Sequence, residues 1–262
     1  MDVLFSYYKN TINIGDRSCC PLDYFDWSFV NPCKIDLREW EKQIRSNQTH
    51  LKLGDKVAIV GGGLINRTIC RLFAGFKRTF VWGAGFKNIN RSDTYIKREG
   101  VQDDLTIFYY LRDYGYSPYH VPCVSCMSPL FDRSYKVQHD LVVYEHADFP
   151  IVRHQALPKK SNKSIELDEA IEFLGSANKV ITNSYHGAYW ATLLGKKVFV
   201  TNWFNKKIQT LKYPPTFIHE LYIKNITDES VGNIYPDALK WSRHENNELY
   251  KIVKEYICSA SK

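Results

Sequence analysis

Short apolar runs alternate along the chain with stretches whose apolar residues recur at helical spacing, a pattern that predicts strands and helices in turn. The expected strands are Val3–Tyr7, Lys56–Val60, Arg78–Trp82, Leu105–Leu111, Leu141–Tyr144, Lys179–Thr182 and Val198–Val200. Helices are expected over Asp36–Ile44, Leu64–Phe73, His186–Leu194 and Glu245–Cys258, and through Leu167, Ala170, Ile171 and Leu174. In the last of these ranges the terminal helix turns Leu249, Ile252, Val253 and Tyr256 inward. The segment Lys179–Thr201 is the clearest unit. A strand, a polar break at Asn183-Ser184-Tyr185, a helix stopped by Gly195 and a second strand make a βαβ crossover with parallel strands.

That crossover places its polar break at the carboxyl end of a strand and the start of a helix. Ligands of open α/β sheets bind there, and free backbone N–H groups favour an anion. His186 stands at this position, where an imidazole either hydrogen-bonds an oxyanion and moves a proton or serves as a capping or partly buried structural residue. Other strand ends carry their own candidates. Gly15 lies in the turn Asn10–Arg17, Gly61-Gly62-Gly63 follows one strand, and Gly83-Ala84-Gly85 is read as the glycine-rich exit of the next. The glycine cluster lacks G-x-G-x-x-G spacing, so a nicotinamide cofactor is not expected. Arg112-Asp113 ends the Leu105–Leu111 strand as an anion clamp with its orienting carboxylate, or else as a surface ion pair. Lys206-Lys207 follows the last strand as a second cationic candidate or a solvated doublet.

Length and charge narrow the picture. A chain of 262 residues accommodates two small α/β halves, and a mostly polar stretch, Arg133–His139, is the expected linker. The expected domains are therefore residues 1–135 and 136–262. The net charge of +7 suits an anionic ligand, nucleic acid or an acidic membrane surface, yet no zinc finger, aromatic RNA-binding motif or basic helix supports nucleic acid. Seven cysteines without an export signal read as reduced thiols. Cys123-Val124-Ser125-Cys126 has no second pair at zinc spacing, and buried structural thiols are the better reading. His146, Asp148 and His154 are spaced too irregularly for a metal triad and read as loop residues.

Taken in order, these pieces resemble the polysaccharide pyruvyl transferase family. The resemblance rests on Asn13-Ile14-Gly15-Asp16, Gly61-Gly62-Gly63, Gly83-Ala84-Gly85, Arg112-Asp113 and, above all, Ser184-Tyr185-His186-Gly187-Ala188 followed by Leu194-Gly195-Lys196. Many members carry arginine where Ser184 stands, and the departure is similar to the subgroup acting on exopolysaccharide repeats. The resemblance implies two Rossmann-like domains with a cleft between them, GT-B-like, the first on the acceptor side and the second, with His186, on the donor side. It implies phosphoenolpyruvate as donor, a sugar of a bacterial surface polysaccharide or lipid-linked precursor as acceptor, and neither cofactor nor metal. His186, Asp113 and Asp16 are the implied catalytic residues. Arg112, Lys206, Lys207, Asn183, Ser184, Tyr185, Gly187, Asn13, Gly15, Gly62, Gly63, Gly83 and Gly85 are the implied substrate contacts. A cytoplasmic location with peripheral contact to the inner membrane follows as an expectation. A nucleotide-sugar glycosyltransferase and an inactive polysaccharide-binding relative are the alternatives.

Overall fold

A computed structural model describes residues 1–46, 54, 56–65, 72–73, 75–86, 106–116, 119–151, 156–163, 165–201, 206–219, 226 and 232–260, the side chains of residues 64, 65 and 206 excepted. The fold is mixed α/β with two parallel sheets, in agreement with the alternating sequence pattern. The chain divides into two compact units that are discontinuous in sequence. One contains Met1–Thr11, Asp16–Met127 and Ser242–Lys262, and the other contains Ile12–Gly15 and Ser128–Trp241.

The first unit is built on β1 (Asp2–Tyr7), β2 (Asn31–Asp36), β3 (Val57–Gly61), β4 (Leu64–Ile65), β5 (Arg78–Phe86) and β6 (Ile107–Leu111), ordered β2-β1-β3-β5-β4 with β6 also paired to β5. All of these pairings are parallel. Alternation along the central strands fills both faces. Val3, Phe5, Val57, Ile59, Phe80 and Trp82 form one core, and Leu4, Ala58 and Val60 join Trp40 and Phe73 in another. A short helix, α1 (Ile14–Arg17), precedes β2, and the helix α2 (Leu37–Arg45) follows it. Asp36 caps it by accepting hydrogen bonds from the Arg38 and Glu39 N–H groups.

Two sequence expectations are corrected in this sheet. Gly83-Ala84-Gly85 is not an exit turn but lies inside β5, which bulges between Trp82 and Ala84 where Gly83 takes φ +66°. Leu64–Ile65 is strand rather than the start of a helix, and most of the remainder of that predicted helix lies outside the described residues. Both corrections have one cause. Gly61 pairs with Trp82 and Leu64 with Gly85 at the same register offset, so β4 resumes the line of β3 along β5 across the two intervening glycines. β2 was not expected at all. It is an exposed edge strand containing Pro32, which edge strands tolerate and central strands do not.

The second unit holds β7 (His139–Glu145), β8 (Lys159–Ser161), β9 (Ala177–Thr182), β10 (Lys197–Val200) and β11 (Thr216–Phe217) in the parallel order β11-β10-β9-β7-β8. Val143, Ile181 and Phe199 pack with Ile151 on one face. The helix α3 (Leu167–Gly175) buries Ala170, Ile171 and Leu174, as its spacing predicts. The helix α4 (Tyr185–Leu193) joins β9 to β10, as expected of the βαβ unit, and all nine of its residues are buried. Gly195 N–H bonds to Thr192 O and Lys196 N–H to Ala191 O, closing its end with glycine in the left-handed region.

The last helix, α5 (Ala238–Ala260), starts earlier than predicted, and its face is rotated. Leu249, Val253 and Ile257 enter the first unit's core, whereas Ile252 is 48 % exposed. Positions at i, i+4 and i+8 define a narrower stripe than the predicted one, and Ile252 falls outside it. Asn246 fixes the helix in that unit. Its buried Oδ1 accepts from Trp82 Nε1 at 2.7 Å, and its Nδ2 donates to Ser242 O and Pro122 O. Asn246→Ala leaves the Trp82 N–H buried without that acceptor and is expected to cost about 1–3 kcal/mol, read as a lower urea midpoint at unchanged slope. No helix among the described residues is long and apolar enough to cross a membrane.

Candidate active site

The second unit assembles its polar residues at the carboxyl ends of β7 and β9. Ser184 precedes α4 as its N-cap: its Oγ accepts from Gly187 N–H at 3.4 Å, and its own N–H donates to Thr182 Oγ1 at 3.0 Å. Gly187 lets the helix lie close against the sheet, since a Cβ there would stand 2.5 Å from Thr182 Oγ1 and 2.6 Å from Tyr144 Cδ1. Asn183 is 2 % exposed. Its Oδ1 accepts from His146 N–H at 2.8 Å and its Nδ2 donates to Phe149 O at 2.6 Å, so the side chain clamps the loop after β7.

His186 follows within the first turn of α4 and is 4 % exposed. Tyr185 meets its ring edge-on at 5.2 Å, and Trp190, one turn along, lies tilted at 5.1 Å. Tyr185 in turn stacks on Tyr189. Gly15 forms another wall. An added Cβ there would lie 2.0 Å from His186 Nδ1 and 2.5 Å from Cγ, so the imidazole occupies the space a side chain would need.

Gly15 is held in turn. Its N–H donates to Asn13 Oδ1 at 3.0 Å, and the same oxygen accepts from Asn162 Nδ2 at 3.1 Å. Asn162 also bonds Ile14 N–H through its carbonyl and Ala147 N–H through its Oδ1. The loop predicted from Asn13-Ile14-Gly15 is thus brought to the histidine of the βαβ unit, while Asp16, half-buried, opens the next segment of the first unit.

Arg112, Asp113, Gly62, Gly63, Gly83 and Gly85 belong to the first unit, and Lys206 and Lys207 to the second. Arg112 and Asp113 do end β6, but neither is on the surface: they are 3 % and 0 % exposed. Asp113 Oδ2 accepts from Phe86 N–H at 2.7 Å, which gives this carboxylate a bracing place on β5. A Cβ on Gly85 would lie 2.6 Å from Arg112 Nε and 2.9 Å from Asp113 Oδ2, so the glycine provides the room for both. Gly62 and Gly63 are packed in the same sense, against Cys19 and the Tyr8 ring, and Gly83 against Pro122 and Cys123. Lys207 is half-buried in the short turn of 3₁₀ helix Lys206–Thr210; the side chain of Lys206 lies outside the described residues, as does His154.

The Cys123-x-x-Cys126 segment is buried. Cys123 Sγ lies 3.4 Å from Cys19 Sγ. That hydrogen bond, then burial, push the Cys19 thiol well above its ordinary range, while burial pushes Cys20 up to about 12. Both thiols are therefore protonated at neutral pH and poor nucleophiles.

Comparison with known proteins decides the family. The family model for polysaccharide pyruvyl transferase matches residues 4–204, well over half of the chain. The chain belongs to the polysaccharide pyruvyl transferase family. A solved structure of a functionally uncharacterized protein from Klebsiella pneumoniae subsp. pneumoniae NTUH-K2044 is similar in fold, with TM-score 0.52, 17 % identity, and coverage of 83 % of this chain and 92 % of that one. A search of curated proteins finds no match. The matched residues of this pyruvyl transferase family member include both Asn13–Gly15 and the Ser184–Gly187 helix start, the two segments that meet at the imidazole. Asn162 lies within the match too, but sequence reading missed it because an asparagine after a short strand carries no local signal.

Proposed function

We propose that the chain is a ketal-pyruvate transferase, which moves pyruvate from phosphoenolpyruvate to two hydroxyls of a sugar in a bacterial surface polysaccharide or its lipid-linked precursor. The observation that carries this reading is the His186 imidazole at the start of α4, walled by Gly15, inside the family match. Membership of a transferase family supports the reaction class, and the sequence resemblance supports the donor. Within the proposal the first unit takes the acceptor, the second takes the donor, and the pair is GT-B-like.

His186 delivers a proton to the methylene carbon of the enol phosphate, leaving an oxocarbenium-like centre at the neighbouring carbon. One sugar hydroxyl adds there and gives up its proton. The carbon–oxygen bond to phosphate breaks, a second hydroxyl adds with loss of its proton, and the ring closes as the ketal. One proton enters carbon from the imidazole and two leave oxygen, so one of these returns to the imidazole and the other goes to the departing phosphate. Fixed positive charge and helix-end N–H groups suit the anionic donor. Arg112, Lys206 and Lys207 are the proposed cations, and Asp16 is the carboxylate available to activate a hydroxyl. Asp113 is the second carboxylate proposed for that role, its Oδ2 also accepting from Phe86 N–H. Tyr185 and Ser184 shape the donor end through the ring contact and the cap. No cofactor or metal takes part in this scheme. Peripheral contact with the anionic inner membrane surface through the +7 charge completes the proposal.

The test incubates purified protein with phosphoenolpyruvate and a panel of oligosaccharides. Phosphate release with a product mass matching dehydrative addition of pyruvate is the expected result. Release of nucleotide from a nucleotide sugar, with phosphoenolpyruvate untouched, would replace this reading by the glycosyltransferase one. Saccharide binding with neither donor consumed would replace it by a binding role.

A further inference from the structure

Asn162 is 1 % exposed, stands at the end of β8 and has every polar group engaged in the second unit. Its N–H donates to Glu145 O at 3.1 Å and its carbonyl accepts from Ile14 N–H at 3.0 Å. Its amide Oδ1 accepts from Ala147 N–H at 2.8 Å and its Nδ2 donates to Asn13 Oδ1 at 3.1 Å. Next to it, Lys163 forms a bridge with Asn13. One buried amide thus joins the end of β7, the loop after it and the segment Asn13–Gly15, which comes from near the start of the chain.

Buried polar groups are costly unless satisfied, so a fully engaged asparagine at such a junction specifies one arrangement of the parts it joins. Here the part with consequences is Gly15, which lies against His186 without room for a Cβ. Asn13 Oδ1 is the shared atom: it receives both the Gly15 N–H and the Asn162 amide. Removing the Asn162 donor frees Asn13 to turn, and the turn carrying Gly15 then loses one of its two supports at that oxygen.

We infer that Asn162 is a positioning residue, which sets the orientation of the His186 ring through Asn13 and Gly15. The inference rests on the reading of His186 as the reactive imidazole, but its first readout does not depend on any donor. Asn162→Ala removes both amide bonds. Asn162→Asp keeps an acceptor for Ala147 N–H while replacing the donor to Asn13 by an acceptor, so it breaks the Asn13 link selectively.

Both variants, with ¹³C-labelled histidine, are compared with the parent by NMR, with thermal unfolding confirming that each is folded. The His186 ring resonances, assigned through a His186→Gln variant, are expected to move in both. Where phosphoenolpyruvate is turned over, kcat is expected to fall at least about tenfold in both, with KM for the donor changed by less than about threefold, as misplacement of a reacting group predicts. Ring resonances unchanged in a folded Asn162→Asp overturn the inference, as does a shift confined to Asn162→Ala, which would assign the effect to the Ala147 link. Absence of phosphoenolpyruvate turnover in the parent protein counts against the functional reading alone, because the NMR comparison still decides the positioning role.

Discussion

His186→Ala is expected to lower phosphoenolpyruvate-dependent turnover at least about a hundredfold, the ordinary scale for a positioned proton donor. The alanine variant also leaves a void beside Trp190 and Tyr185, whose rings lie 5.1 Å and 5.2 Å from the imidazole, so lost activity by itself has two explanations. His186→Gln separates them. Glutamine fills most of the space and keeps hydrogen-bonding capacity, but it transfers no proton near neutral pH. If the imidazole is the acid, the glutamine variant is as slow as the alanine one while its unfolding temperature stays closer to the parent. If the ring only binds phosphate, glutamine recovers most of kcat and the loss appears chiefly in KM. Near-parental kcat in a folded His186→Ala removes the histidine from proton transfer altogether.

What sequence could show of this site follows the distance over which each piece is determined. The helix at His186 was legible because its signals are local: Ser184 caps it, the apolar run fills it, and Gly195 ends it within the same few turns. The packing around it was not. Nothing local to Gly187 tells that Thr182 of β9 and Tyr144 of β7 occupy the space a Cβ would need there. Gly83 and Gly85 read as a turn because glycine weakens a strand, but pairing to β6 on one side and β4 on the other holds them in β5. Register is a property of neighbours, which a single segment does not contain. The same holds for charge. Arg112-Asp113 has the composition of a surface pair, and only the burial of both side chains shows it to be interior. Asn162 is the extreme case, since its meaning lies in an asparagine 149 positions away.

Gly15→Ala tests the wall that those long-range contacts build. No left-handed backbone is required at Gly15, so alanine is compatible with its conformation, and in the short helix α1 it would be favoured by up to about 1 kcal/mol on propensity alone. The new methyl nevertheless needs the space taken by Nδ1, Cγ and Cε1 of His186, at 2.0, 2.5 and 2.9 Å from the ideal Cβ position. Distances so far below van der Waals contact force either the ring or the α1 segment to move by more than an ångström, a displacement that costs on the order of a hundredfold in rate when the displaced group does the chemistry. The ring is held by Tyr185 and Trp190, and the segment by the hydrogen bonds that Asn162 donates to Asn13 and accepts from Ile14, so neither yields freely. The expected result is therefore a folded protein with kcat reduced about a hundredfold and shifted His186 ring resonances. Combining Gly15→Ala with Asn162→Ala releases one of the two constraints, so the double variant should lose less than the product of the single losses. Strictly multiplicative losses would mean that the two residues act on the imidazole independently, and parental activity in Gly15→Ala would mean that the ring is held by α4 and its aromatic neighbours without help from this segment.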